Sequence, residues 1–113
     1  MRALLPTQYA PMPLDQTRKK QLRAIGHRLN PIVMISERGI SEGVSLELER
    51  ALEDHELIKV KLGLADPAER RELATALCEQ HRAELVQSVG KMILIYRAAQ
   101  KPNPRLSNLL RPI

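Results

Sequence analysis

Between Ile32 and Leu62 the chain changes its hydrophobic period twice, and this restricts the folds open to it. Ile32-Val33-Met34-Ile35 is a continuous apolar run of strand length, rich in β-branched residues, and predicts a strand buried on both faces. Val44, Leu48, Ala51, Leu52 and His55 then recur at helical spacing, with Glu47, Arg50, Glu53 and Asp54 on the opposite side. From Leu57 to Leu62 the pattern alternates. Ile58, Val60 and Leu62 share one face and Leu57, Lys59 and Lys61 the other, as in a half-buried strand. A strand, a helix and a strand in succession require a crossover, which is right-handed and lays the helix on the sheet.

The flanking segments extend this unit. Residues 17–29 predict a helix with Leu22, Ile25 and Leu29 as its apolar stripe, ended at Asn30-Pro31 because a residue before proline is driven out of the α region. Asp66-Pro67-Ala68-Glu69 is a helix start, with Asp as the cap, Pro first and Glu third. That helix should run to about residues 80–82 on a stripe of Leu73, Ala74 and Leu77. Two strands, 84–88 and 92–98, flank Val89-Gly90-Lys91, where Gly-Lys suits a two-residue hairpin turn with glycine first. A second crossover should bring the first three strands into one sheet, and the hairpin adds the fourth. The expected fold is α/β, in the order α-β-α-β-α-β-β, with a four-stranded mixed sheet and helices packed on it.

Composition sets the limits of this unit. The 113 residues suit one domain, and six of the eight prolines fall in segments 1–13 and 101–113. Residues 1–14 are therefore predicted to be extended or disordered, 15–98 to form the folded domain and 99–113 to be a basic, proline-containing tail. With no Phe or Trp the core must be aliphatic. The one cysteine, Cys78, has no partner for an internal disulfide and sits in a helical pattern, which fits a reducing compartment. No apolar run reaches the length of a signal peptide or a membrane span, so a cytosolic protein without a membrane partner is expected.

Charge carries the functional signal. The formal net charge is +5, but its distribution is uneven. Segment 41–56 holds six acidic residues against Arg50 alone, residues 57–83 are nearly balanced, and segments 1–38 and 84–113 are mostly basic. Such a chain can present a surface that attracts a polyanion on one side and repels it on the other. The first helix supplies Arg18, Lys19, Lys20, Arg23 and Arg28; Lys59 and Lys61 lie on one strand face; Lys91 sits in the hairpin turn and Arg97 follows. Ser36-Glu37-Arg38-Gly39 forms a loop between a strand and a helix capped by Ser41. The unpaired N–H groups and dipole of that helix start favour an anion, and Arg38 adds a full positive charge. Phosphate and backbone recognition of a nucleic acid follows. The scarcity of aromatic residues argues against base stacking on a sheet surface.

Enzyme chemistry finds no support in the motifs. His27, His55 and His81 lie in separate elements without metal-ligand spacing, and no P-loop, nucleophile elbow or Cys/His arrangement is present. No catalytic residue, metal or cofactor is expected. The acids of segment 42–56 are expected to be a solvated helix face.

Residues 17–97 resemble the small bacterial YhbY-type proteins, which are stand-alone CRM domains (chloroplast RNA splicing and ribosome maturation). The resemblance is carried by Leu29-Asn30-Pro31-Ile32-Val33, Arg38-Gly39-Ile40-Ser41-Glu42-Gly43-Val44, the run from Ala51 to Lys61, and Val89-Gly90-Lys91 with Tyr96-Arg97. It implies a fold similar to the C-terminal domain of bacterial translation initiation factor three. It also implies an RNA-binding protein associated with precursors of the large ribosomal subunit. A monomer is expected, with ribosomal proteins as further partners. The family's RNA-contacting G-x-x-G loop falls on Ser36-Glu37-Arg38-Gly39, where the second glycine is present and the first is replaced by serine. The Ser36 hydroxyl should remain available, but its Cβ should limit the approach of a phosphate. A second reading, from another class, is a protein-interaction module that docks on a ribosomal protein through the acidic helix 41–56.

Overall fold

In the computed structural model, which describes residues 14–110, Asp15 opens the first helix by accepting the backbone N–H of Arg18 on its carboxylate at 2.7 Å. The elements are α1 (Gln16–Gly26), β1 (Pro31–Ile35), α2 (Glu42–His55), β2 (Leu57–Leu62), α3 (Pro67–His81), β3 (Glu84–Val89) and β4 (Met92–Tyr96). This is the expected α/β order, with three helices and one four-stranded mixed sheet. The extended N-terminal stretch expected from the prolines, and Arg111 of the tail, lie outside the described residues.

The sheet order is β1-β2-β4-β3. β1 runs parallel to β2, and β4 is antiparallel to both β2 and β3. The second crossover thus leaves one position open beside β2, and the hairpin returns β4 into it. Gly90 makes the reversal possible at φ +57°, a conformation that side chains disfavour.

Helices cover both faces of the sheet. α2 and α3 bury Leu48, Leu52, Ala74 and Leu77 against Val33, Ile35, Val60, Ile93 and Ile95. On the opposite face α1 buries Leu22 against Leu57, Val86 and Leu94, with Ile25, Leu29 and Tyr96 around them. Each fully buried aliphatic side chain of this kind contributes about 1.5–3 kcal/mol. α1 ends at Gly26, three residues earlier than its apolar stripe suggested, and Arg28 and Leu29 continue as turns bonded to Ile25 and Gly26 carbonyls. Gly26 lies against the sheet, and a Cβ there would collide with the Leu94 side chain.

Two expectations need correction. β1 is an edge strand covered on one face only: Val33 and Ile35 are buried, whereas Ile32 and Met34 face solvent. A continuous apolar run does not distinguish a doubly buried strand from an edge strand whose second face meets a ligand or water. The C-terminal tail also folds back as far as the described residues extend. Ser107 and Asn108 are buried, Ser107 Oγ donates to Glu56 Oε1 at 2.7 Å, and Asn108 Nδ2 donates to the Leu57 carbonyl at 2.7 Å. The other Glu56 oxygen accepts the N–H of Ala99 at 2.8 Å, and Glu53 accepts the N–H groups of Gln100 and Lys101. Glu56 itself takes φ 63° and ψ −50°, a rare backbone state that persists only where surroundings over-determine it.

Candidate nucleic-acid interface

The acidic helix uses much of its charge inside the molecule. Glu49 Oε2 accepts the Nδ1–H of His81 at 2.6 Å, and Arg97 donates to both Glu49 oxygens at 3.0 Å and to the His81 carbonyl at 3.0 Å. In the neutral His81 ring, Nε2 is then the acceptor for Ser45 Oγ at 3.4 Å. Burial by itself would raise the Glu49 carboxyl, but the hydrogen bonds from His81 and Arg97, with their charge, outweigh it and hold the pKa below its ordinary 4.5. The acids on this helix were expected to be solvated. Glu49, Glu53 and Glu56 are instead occupied by His81, Arg97 and the tail. Arg97 is correspondingly unavailable to a ligand, contrary to the basic series in which the sequence placed it.

The opposite side presents cations. The three ion pairs among the described residues are Arg50–Asp54, His81–Glu49 and Arg97–Glu49, all on the α2 side of the sheet. Lys20, Arg28, Arg38 and Lys91 are exposed and form no ion pair among the described residues. The strand register adds Lys61 to this side. Met34 of β1 pairs with Lys61, Lys61 with Met92, and Met92 with Val89, so Lys61 stands mid-row on the face that α1 occupies. Met34 and Val89, 61% and 62% exposed, show that α1 leaves this end of the face open. The loop after β1 and the hairpin turn border the same end, where Gly63 N–H donates to the Ile35 carbonyl and Leu62 N–H to the Lys91 carbonyl, each at 2.7 Å.

Lys59 lies one row deeper and is half-buried, with Nζ donating to the Leu29 carbonyl at 3.1 Å. Arg28 lines a cavity of about 210 Å³ together with Lys59, Leu29 and Ile32. Arg38, Lys59, Lys61, Lys91 and the α1 exit therefore share one region. Lys19 and Arg23 are half-buried and Lys20 is exposed along α1. Arg18 is not part of this region: it sits over the Tyr96 ring at 5.9 Å, at the far end of β4, and donates to Gln21 at 3.4 Å.

The loop has a definite internal structure. Gly39 N–H donates to the Ser36 carbonyl at 2.9 Å, and the Ser36 hydroxyl accepts the Arg38 N–H at 3.3 Å. Gly39 takes φ +79°, so glycine is required there, whereas Ser36 has no positive φ. The missing first glycine is thus no backbone necessity in this chain, and the serine oxygen closes the turn. Ser41 accepts the Val44 N–H at 3.1 Å as the α2 cap. The aliphatic rim of Ile32, Met34 and Val89 was not anticipated as part of a site. The apolar run of β1 and the lone Val89 beside Gly90 were its signals.

No helix among the described residues is long and apolar enough to cross a membrane. No group of three or more His, Cys, Asp or Glu among them is placed to hold a metal ion. Burial pushes the Cys78 thiol up to about 11, with Glu84 adding to the effect, so it is an inert core residue.

The order α-β-α-β-α-β-β, with a four-stranded mixed sheet and a tight glycine loop between the first strand and the second helix, defines the class of domain. The chain belongs to the CRS1/YhbY (CRM) domain family, whose model matches residues 14–97. It is 57% identical over 100 residues to the probable RNA-binding protein PA4753 of Pseudomonas aeruginosa, covering 88% of this chain and 96% of that one. It is 38% identical over 93 residues to an RNA-binding protein of Haemophilus influenzae, covering 82% and 94% respectively. The solution structure of Staphylococcus aureus SAV1595 superposes with a TM-score of 0.70 at 38% identity, covering 79% of this chain and 93% of that one.

Proposed function

We propose that this protein binds structured RNA through its sugar-phosphate backbone and assists maturation of the large ribosomal subunit in the cytosol. It acts as a monomer and without catalysis of its own. The observation that carries the reading is local: Lys20, Arg28, Arg38, Lys61 and Lys91 form no ion pair among the described residues and stand on the α1 face of the sheet or in the loops that border it, while Glu49, Glu53 and Glu56 on the far side are tied to His81, Arg97 and the tail. The names of the two bacterial relatives support an RNA partner. Each phosphate neutralised by Arg38, Lys61, Lys91 or the α1 lysines releases counterions, so affinity should fall steeply with salt. Ser36 and Gly39 contribute by shaping the loop, and the first turn of α2 after Ser41 offers backbone amides to a phosphate.

The test is the double substitution Lys20→Glu with Arg38→Glu, assayed against fragments of large-subunit ribosomal RNA over a salt series. The slope of log affinity against log salt should fall by about one for each phosphate contact removed. Unchanged affinity and slope would sink this surface.

The docking reading for helix 41–56 draws on Leu46, which is 65% exposed beside Glu47. Fewer of its carboxylates are free to meet a partner, because Glu49, Glu53 and Glu56 are already bonded within the chain. Co-sedimentation with pre-ribosomal particles that survives RNase and is lost on Leu46→Ala with Glu47→Lys would favour it.

A further inference from the structure

The open end of the sheet holds a cavity of about 230 Å³ that backbone recognition does not use. Its floor is Met92 and Leu94 of β4 and Val89 of β3; its walls are His27, just past the end of α1, and Gln87; Lys59 stands at its side. Two registers build it. Lys59, Leu94 and Gln87 form one row across β2, β4 and β3, and Lys61, Met92 and Val89 form the next. Close packing of Gly26 on Leu94 lets α1 end directly above the first row, which brings the exposed His27 ring to the rim.

Resting on the RNA-backbone reading above, the geometry points to a binding pocket for one unpaired RNA base, seated between His27 and the Met92–Val89 floor. Neighbouring strands lie about 4.8 Å apart and alternate residues about 6.8 Å apart along a strand, so the floor has the footprint of one flat ring. A base held in a duplex shows only its edges, whereas an unpaired base can present its face to an apolar surface. The Met92 thioether is polarizable and suited to contact with an aromatic ring, and His27 offers a planar partner on the other side. Gln87 carries both a donor and an acceptor on one exposed amide, which can bond a base edge. Lys59 and Lys61 flank the cavity where the phosphates on either side of the base would run. An apolar floor with Lys59 and Lys61 along one side fits an anionic chain with flat side groups better than an aliphatic peptide. Only one base is accommodated, which agrees with the lack of an aromatic row on the sheet.

The experiment uses the whole chain and two RNAs: a short hairpin with a single-stranded extension, and the same molecule with the extension bases removed but its phosphates kept. The wild-type protein should bind the intact RNA about tenfold tighter, the effect of roughly one stacked base. His27→Ala with Gln87→Ala should bind both RNAs equally, with a salt slope unchanged from wild type. The Met92 methyl resonance should move upfield with the intact RNA and stay in place with the abasic one, while thermal melts confirm that the variant is folded. Equal binding of the two RNAs by the wild type, or a tenfold preference that survives in the variant, would overturn the pocket and leave the backbone surface standing. Absence of salt-dependent binding to either RNA would remove the surface and the pocket together.

Discussion

Lys59 donates from Nζ to the carbonyl of Leu29 at 3.1 Å, joining the centre of the sheet to the chain that leaves α1. The bond places a positive charge against carbonyls at a helix exit, where the dipole is negative. It also sets Lys59 apart from Lys61, which shares its strand face and makes no such bond among the described residues.

The two lysines should therefore separate in their effects. Lys59→Ala is expected to cost about 1 kcal/mol of stability, the value of one hydrogen bond from a partly buried donor. Lys61→Ala should leave stability within about 0.5 kcal/mol and lower the salt slope of RNA binding. Urea unfolding and binding titrations on both variants check this, and equal stability losses would contradict it.

The loop gives a second contrast. Gly39→Ala places a Cβ at φ +79° and should destabilise the fold by about 1–2 kcal/mol. Ser36→Gly restores the family's glycine pattern but releases the Arg38 N–H, so RNA affinity should change by less than about twofold while stability drops by roughly 0.5–1 kcal/mol. A large gain in affinity would show that the Ser36 side chain hinders the phosphate.

Acid should loosen the joint between α2 and α3. The Glu49 carboxyl is held below 4.5 in the folded chain, so its contribution is full above the unfolded pKa and is lost as pH falls through the folded one. The stability gap between wild type and Glu49→Gln should thus be constant from neutral pH down to about 5 and narrow as the pH falls below the ordinary carboxylate range. Melting curves across that range test the sign, and a gap that widens in acid would refute it.

Ser107→Ala should cost about 1–3 kcal/mol, because it leaves one oxygen of the buried Glu56 carboxylate without its donor. Truncation before Lys101 should cost more, since it also removes Asn108 from the Leu57 carbonyl. Calorimetry on both forms distinguishes a packed segment from a passive charged tail.

The chain's periodicities and caps were legible because they are local. Asp66 with Pro67, Ser41 before α2, and Gly90 in the hairpin each act within a few residues, and each holds in the structure. What was hidden depends on partners distant in sequence. Whether Ile32 and Met34 are covered turns on β1 lying at an edge, and no four-residue run encodes its place in a sheet. The fate of Glu49, Glu53 and Glu56 turns on His81, Arg97 and residues 99–107, some 30 to 50 positions away. The basic residues were identified from charge, but the separation of Arg18 from Lys61 needed the direction of α1 across the sheet.

The strand order has a consequence for synthesis. Among the described residues β4 is the last strand in chain order, yet it occupies an interior position and links β2 to β3 by hydrogen bonds. While the chain emerges from its own ribosome, β1 and β2 can pair, but Val60 and Leu62 keep one backbone edge open until residue 96 has cleared the tunnel. The nascent protein therefore passes through an interval with an unsatisfied sheet edge, and completes its core in one late step.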